Sequence, residues 1–222
     1  SEPAKLDEMI AHWWEQAEIH GVLPLDDRGV ELFGARFRKN SPHPEDRRYV
    51  YRPPMSPMPS QASGGVGGRN VDIVAKVTYK KGDEGVLYAS GTQNSGVSVF
   101  IQNGRLIFDY NAFGDHTIIE SAELVPEGDH ELRAVLRRGD GMSGFLEVTI
   151  DGVSGGSAEV SLFMRMISSV GPSVGFDHGS PISTRYSAPY AYTGELHEII
   201  IESGPRRVDT AATEAQAEMN RQ

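Results

Sequence analysis

From residue 69 to residue 202 the sequence consists of short runs in which apolar and polar residues alternate, separated by turn residues. The first run is the clearest, because Val71, Ile73, Ala75, Val77 and Tyr79 alternate with mostly polar neighbours. A period of two places one set of side chains on each face of a strand, so this run is predicted to be a half-buried β-strand. About ten such runs, spaced by roughly 8–12 residues, predict an all-β chain folded as an antiparallel β-sandwich or barrel.

Turn residues mark where these strands reverse. Asn103-Gly104 and Asp151-Gly152 are both dipeptides that tolerate positive φ angles, so each predicts a two-residue hairpin. The other strands predicted from the alternation are Val86–Ala89, Val97–Ile101, Leu106–Tyr110, Thr117–Glu123, His130–Leu136, Phe145–Ile150, Glu159–Phe163 and Glu195–Glu202.

The residues before this region follow a different period. Ser1 to His20 carries apolar residues at three- and four-residue steps, which predicts one amphipathic helix ending near Gly21. A stretch rich in Pro, Ser, Met and Gly, residues 53–68, predicts an irregular connection. We therefore divide the chain into a helical segment with its connection (1–48), a β-sandwich (49–204) and a tail (205–222).

Charge and composition exclude several classes of function. The formal net charge of -10 repels phosphate backbones and anionic lipid, so neither nucleic acid nor a membrane is expected as a partner. No segment has the pattern of a signal peptide or a membrane span, and the compartment stays open. Without cysteine, the chain has no disulfide, no thiolate nucleophile and no thiolate metal ligand.

A series of local patterns resembles the laminin-G or concanavalin-like jelly roll. The patterns, in chain order, are Gly85-Val86-Leu87-Tyr88-Ala89, Val97–Ile101, Gly104-Arg105-Leu106, Gly128–Leu132, Leu146-x-Val148-x-Ile150-Asp151-Gly152 and Gly194-x-Leu196-x-x-Ile199. The resemblance spans residues 71–202 and implies that the sandwich is of this jelly-roll type.

A second resemblance concerns the N-terminal segment. Trp13-Trp14-x-x-Ala17 and the run Val22–Arg28 resemble the end of the catalytic domain of bacterial arylsulfatases, a group in which a jelly-roll-like tail follows. Tyr110-Asn111 and Gly175–Pro181 resemble elements of that tail. The resemblance implies that the chain is the C-terminal part of a longer sulfatase, whose activity is hydrolysis of sulfate esters.

The catalytic apparatus of such a sulfatase is missing from the sequence. The family works through a formylglycine made from a Cys/Ser-x-Pro-x-Arg motif, but neither Ser41-Pro42 nor Ser56-Pro57 is followed by the required arginine. The chain is therefore predicted to be no enzyme and to carry no cofactor, with the sulfatase catalytic domain as its partner. A self-sufficient glycosidase is disfavoured, because no pair of carboxylates has suitable spacing.

Candidate site residues follow from both lines of argument. Asp26, Asp27 and Arg28 are predicted to cap a short helix, and the sulfatase resemblance implies that they reach the rim of the parent's substrate cleft. Tyr186, Tyr190 and Tyr192 lie in an aromatic loop with two prolines; such a loop either covers an edge of the sandwich, which we favour, or grips a sugar.

Three Asp-His dipeptides, at 115–116, 129–130 and 177–178, sit beside glycines and predict surface turns. Among them, Asp177 is the weak candidate for a metal ligand, since laminin-G-like modules often carry calcium at a rim, but calcium needs about 6–8 oxygen ligands. Trp13 and Trp14 are predicted to pack in contacts rather than to form a sugar platform. The stripe that they share could also hold two copies together as a homodimer.

Two functions remain from different classes. The leading one is a non-catalytic accessory sandwich that packs on a sulfatase catalytic domain and contributes to the shape of its cleft. The alternative is a carbohydrate-binding, lectin-like module, with a glycan as its partner.

Overall fold

The computed structural model describes residues 3–19, 47–59, 63–164 and 170–204. The chain divides into two compact units, one made of residues 1–43 with 211–222 and the other of residues 44–210. Asp26, Asp27 and Arg28, together with the rest of the run from Val22, lie outside the described residues.

In the first unit the described part is the helix α1, Pro3–Ile19. The predicted helix extends one to two residues further at each end. Its apolar stripe is exposed: Trp13 and Trp14 keep 47% and 54% of their surface, and their rings meet edge to face at 4.9 Å. Among the described residues no helix is long and apolar enough to cross a membrane.

The second unit is a sandwich of two antiparallel sheets. Its strands are β1 (Arg47–Tyr51), β2 (Val71–Tyr79), β3 (Gly85–Thr92), β4 (Ser95–Gln102), β5 (Arg105–Ala112), β6 (Asp115–Glu120), β7 (Gly128–Arg138), β8 (Gly144–Ile150), β9 (Val153–Val160), β10 (Ser173–Val174) and β11 (Glu195–Ser203). The larger sheet has the order β1-β11-β2-β7-β8-β9, and the smaller sheet has the order β10-β3-β4-β5-β6. The prediction of an antiparallel β-sandwich is confirmed.

The alternating residues of the sequence meet between the sheets. The main core joins Ile73 of β2 and Leu132 of β7 to Phe108 and Tyr110 of β5, all of them almost completely buried. Both predicted hairpin turns are present, and Asn103 and Asp151 adopt positive φ angles of 52° and 51°. Burial of the apolar side chains at every second strand position is thus the main stabilising contribution to this unit.

The smaller sheet is buried on its outer face as well. Val86, Phe100 and Ile107 point away from the main core and form a second apolar cluster with Ile182 and Tyr186. These partners come from residues 175–193, which we call the cover segment. Backbone hydrogen bonds hold it to the start of β3, among them one of 2.9 Å from Val86 N to Tyr190 O.

Two predicted strands are displaced in the structure. Residues 159–163 were predicted as a strand, but β9 runs from Val153 to Val160, and β6 ends at Glu120 rather than at Glu123. Gly155 and Gly156 explain the first shift. A side chain at Gly155 would lie 3.1 Å from Ser121 Cβ, so glycine lets β9 pass close to the end of β6 without showing any apolar alternation.

Candidate functional site

The three candidate tyrosines belong to the cover segment and differ in exposure. Tyr186 is 9% exposed and packs against Phe100, with ring centroids 5.1 Å apart. Tyr190 stacks on Tyr186 at 5.2 Å and donates its hydroxyl hydrogen to Glu84, and burial raises the pKa of Tyr190 to about 12. Tyr192 is half-buried beside the main core. Their rings therefore lie mainly against the protein, and sugar binding, the alternative to covering an edge, stays a prediction.

Asp177 anchors the cover segment from within. Its Oδ2 accepts a hydrogen bond of 2.6 Å from the Tyr186 hydroxyl and one of 2.9 Å from the backbone N–H of Ile182. The residue is 1% exposed, and burial raises the pKa of its carboxyl, against the lowering effect of those two bonds. The part of the chain that the structure describes holds no cluster of three or more metal-binding side chains, so calcium at Asp177 also stays a prediction.

A second buried carboxylate lies on the outer face of the smaller sheet. Asp109 accepts a hydrogen bond of 2.9 Å from Nδ1 of His116 and a further one from the Ser183 hydroxyl of the cover segment. Burial raises the pKa of Asp109, and its two partners lower it. Because the serine is bonded to the aspartate rather than to the histidine, the three do not form the relay of a nucleophilic hydrolase.

The Asp-His dipeptides are therefore not three surface turns. His116 and His130 lie in β6 and β7, and each of their Nδ1 atoms donates to a carboxylate other than its sequence neighbour's. Asp177 is buried rather than exposed. The prediction was wrong because a flanking glycine indicates where a turn lies but not which side chain is drawn into the structure.

A groove of about 510 Å³ lies at one end of the larger sheet. It lies where β2 and β1 begin and where β7 and β11 end. Its lining is almost entirely polar: Arg48, Asn70, Asp72, Arg137, Glu202, Ser203 and Gly204. The volume falls within the range of small-ligand sites, which is about 300–1,000 Å³.

The groove's charged groups are paired across neighbouring strands. Nε of Arg48 lies 3.1 Å from Glu202, and Nη1 of Arg137 contacts the Asp72 carboxylate, which Arg133 also binds at 2.8 Å. Two arginines and two carboxylates line the groove, so their formal charges cancel. Within the described part of the chain, Nη2 of Arg137 makes no hydrogen bond and remains an available donor.

An aliphatic layer lies beneath these charges. Val74, Val135 and Ile200 belong to the outer face of the larger sheet; Val135 is in register with Asp72, Val74 is in register with Ile200, and each of the three is at least nine-tenths buried. Long side chains such as Arg137 cover aliphatic surface with their stems while their charged ends stay in water. The groove itself therefore offers planar donors and acceptors, and its aliphatic neighbours are covered.

The sequence did not predict this groove. Arg48, Asp72, Arg137 and Glu202 are far apart in the chain and converge only because β1, β11, β2 and β7 are neighbours in one sheet. The available signal was weak: each residue is the charged partner of an apolar neighbour in an alternating strand, which is also what an ordinary solvated face shows.

No protein-family model matches the sequence, and no curated protein matches it. Among solved structures, domains LG4-5 of the mouse laminin alpha1 chain superpose with a TM-score of 0.50 at 18% identity, over 71% of this chain and 42% of that one. The chain thus spans less than half the length of the laminin chain that it matches. This likeness shows the fold, and the laminin-G-like prediction is confirmed at that level.

Two carbohydrate-binding modules also superpose, with lower scores. The CBM40 module of Ruminococcus gnavus IT-sialidase, solved with α2,6-sialyllactose, has a TM-score of 0.44 at 11% identity, over 74% of this chain and 97% of that one. The module CBM66 from Bacillus subtilis has a TM-score of 0.37 at 15% identity, over 62% and 78% respectively. None of these three matches is a sulfatase.

Proposed function

We propose that the sandwich is a non-catalytic carbohydrate-binding module whose ligand is a neutral sugar held in the groove of the larger sheet. The observation that carries the proposal is the groove's composition, in which arginine and carboxylate groups are paired across neighbouring strands. Each sugar hydroxyl is at once a donor and an acceptor, so a wall that offers both kinds of group in alternation suits it.

The charge balance favours a neutral ligand over an anionic one. Arg48 and Arg137 already face Glu202 and Asp72, so an incoming anion would gain little Coulomb energy from the groove. It would also approach a protein of formal net charge -10, which repels it at long range. A neutral sugar meets neither obstacle.

Replacing Arg137 with methionine tests the groove. Methionine keeps an aliphatic side chain of similar length but removes the guanidinium donors, so binding of a neutral oligosaccharide should weaken about tenfold. Lys76→Met is the matched control, because Lys76 pairs with Glu198 on the same sheet face and does not line the groove. The measurement is an array of immobilised neutral oligosaccharides, followed by titration calorimetry on the strongest signal.

An array without signal for the unsubstituted protein contradicts the proposal outright. An equal loss of affinity in the Arg137 and Lys76 variants would place the ligand elsewhere on the face. Binding that prefers sulfated or carboxylated sugars by more than about tenfold would contradict the neutral-ligand argument.

The sulfatase resemblance supports a second candidate function for the whole chain, as an accessory piece that packs on a sulfatase catalytic domain. The specific observation in its favour is the exposed stripe of α1, where Leu6 and Met9 keep 59% and 61% of their surface beside the exposed Trp13 and Trp14. Apolar surface of this kind is typical of a contact with another protein. The same stripe is where the predicted homodimer would form.

For this second function we expect the purified chain to show no turnover of 4-nitrophenyl sulfate, because the formylglycine motif is absent from its sequence. Hydrolysis above the buffer rate, retained after size-exclusion chromatography, would contradict it. Sedimentation of the same sample shows whether two copies associate, and loss of association in Trp14→Glu would assign the contact to α1.

A further inference from the structure

The two-residue turn between β5 and β6 holds an aromatic residue in a strained backbone conformation. Phe113 and Gly114 connect Ala112 to Asp115 with φ angles of 58° and 86°. Asparagine suits the first position of such a turn, whereas a bulky residue at positive φ is uncommon and destabilising. The ring of Phe113 also stays 64% exposed, so it contributes little to the core.

The turn is fixed from below by a fully buried asparagine. Oδ1 of Asn111 accepts the Gly114 N–H at 2.8 Å, and its Nδ2 donates to the carbonyl oxygens of Gln93 at 2.8 Å and Ile182 at 3.3 Å. One amide thus joins the β5–β6 turn to the β3–β4 turn and to the cover segment. Phe113 is presented on a rigid base rather than on a loose loop.

Polar groups surround the base of this turn. Gln93 and Asn94 are exposed at the neighbouring β3–β4 turn. His116 is opposite Asn111 in the register, and its Nδ1 is engaged by Asp109, which fixes the plane of the imidazole. No atom lies within 4 Å of where a Cβ of Gly114 would stand, so the surface beside Phe113 is open.

We propose that Phe113 is the stacking platform of a second sugar subsite, with His116 and the exposed amides of the β3–β4 turn as hydrogen-bonding partners. This subsite rests on the proposed carbohydrate-binding function, but it belongs to the smaller sheet and not to the groove. An exposed aromatic ring on a fixed turn suits the CH face of one sugar ring, and the polar side chains of the neighbouring positions suit its hydroxyls. A protein partner would need several apolar anchors, and these two turns offer one.

The decisive variant is Phe113→Asn, because asparagine tolerates the turn conformation and removes the ring. It should raise the melting temperature and weaken binding to the probe about tenfold. Phe113→Tyr keeps a ring and should stay within about threefold of the unsubstituted affinity. The probe is an array of immobilised neutral hexasaccharides built from glucose, galactose, mannose or xylose, read with the whole chain.

The outcomes separate this proposal from the broader one. If Phe113→Asn binds the array as the unsubstituted protein does, while Arg137→Met binds weakly, the second subsite is overturned and the groove stands. If the unsubstituted protein binds no hexasaccharide, both proposals fall. A melting temperature that drops in Phe113→Asn would overturn the argument from backbone strain, whatever the array shows.

Discussion

Alanine in place of Gly85 is expected to destabilise the sandwich by about 3 kcal/mol or more in free energy of unfolding. Gly85 begins β3 with a φ of 124°, a conformation that L residues rarely adopt. An added Cβ would stand 2.5 Å from Cα of Tyr192 and closer still to the carbonyl oxygen of Ala191. Both atoms are backbone, so no side-chain rotation relieves the clash, and the cover segment must move away from β3.

Gly82→Ala separates the two causes of that loss. Gly82 also has a positive φ, of 95°, but nothing lies within 4 Å of its added Cβ. Its substitution should therefore cost only the backbone strain, about 1 kcal/mol. Urea unfolding of both variants measures the difference. Equal losses would mean that the cover segment yields freely at Ala191 and is not held against the sheet.

Asp177→Ala is expected to cost about 3 kcal/mol, because it removes the acceptor of two buried donors at once. The Ile182 N–H would lose its acceptor, and the Tyr186 hydroxyl would lose its contact with Asp177 while keeping that with Ser98, 2.8 Å away. Combining Asp177→Ala with Tyr186→Phe in a double-mutant cycle gives the coupling between the two side chains. Additive losses would contradict the assigned contact.

The pH dependence of this contribution has a definite sign. Burial raises the pKa of Asp177 above its ordinary 3.8, so the folded state binds the proton more tightly than the unfolded state does. The associated stability is fully present below 3.8 and is lost as the pH rises through the folded-state value. Measured against Asp177→Asn, which cannot ionise, the unsubstituted protein should thus lose relative stability as the pH rises above 3.8. The opposite slope would contradict burial as the dominant cause.

Much of the sandwich was predictable because its strands repeat a simple physical pattern. The nine-residue alternation of β2 and the turns at Asn103-Gly104 and Asp151-Gly152 appear in the structure where the sequence places them. Predictions failed where that pattern was absent. β9 contains the run Ser154-Gly155-Gly156-Ser157, which has no apolar period to detect.

The covered outer face of the smaller sheet has a signal in the sequence that differs from period-two alternation. Phe100 follows Val99 directly, and Ile107 stands between Leu106 and Phe108, so these strands are apolar on both faces. Continuous apolar runs indicate a strand buried on both sides. The identity of the cover was less accessible, since Tyr186 reaches Ser98 across a separation of 88 residues.

The candidate site was the least predictable part. The groove residues come together only in the folded sheet. Local periodicity predicts neither the pairing of Arg48 with Glu202, 154 residues later, nor that of Arg137 with Asp72. No sequence pattern singled out Phe113 either, because an aromatic residue before a glycine is typical of the end of a strand. Phe113 stands out through its positive φ angle and its exposed ring, and neither of these follows from the sequence alone.

The neighbouring positions of β1 and β11 have a mechanical consequence. Arg47 pairs with Ser203, so the start of β1 lies beside the end of β11 at the edge of the larger sheet. Tension applied across this pair opens its hydrogen bonds one after another, like a zipper, instead of loading them all in shear. The first side-chain link to part is that between Arg48 and Glu202, at the wall of the groove. A sugar bound in the groove would contact both strands, so an occupied module should resist pulling better than an empty one.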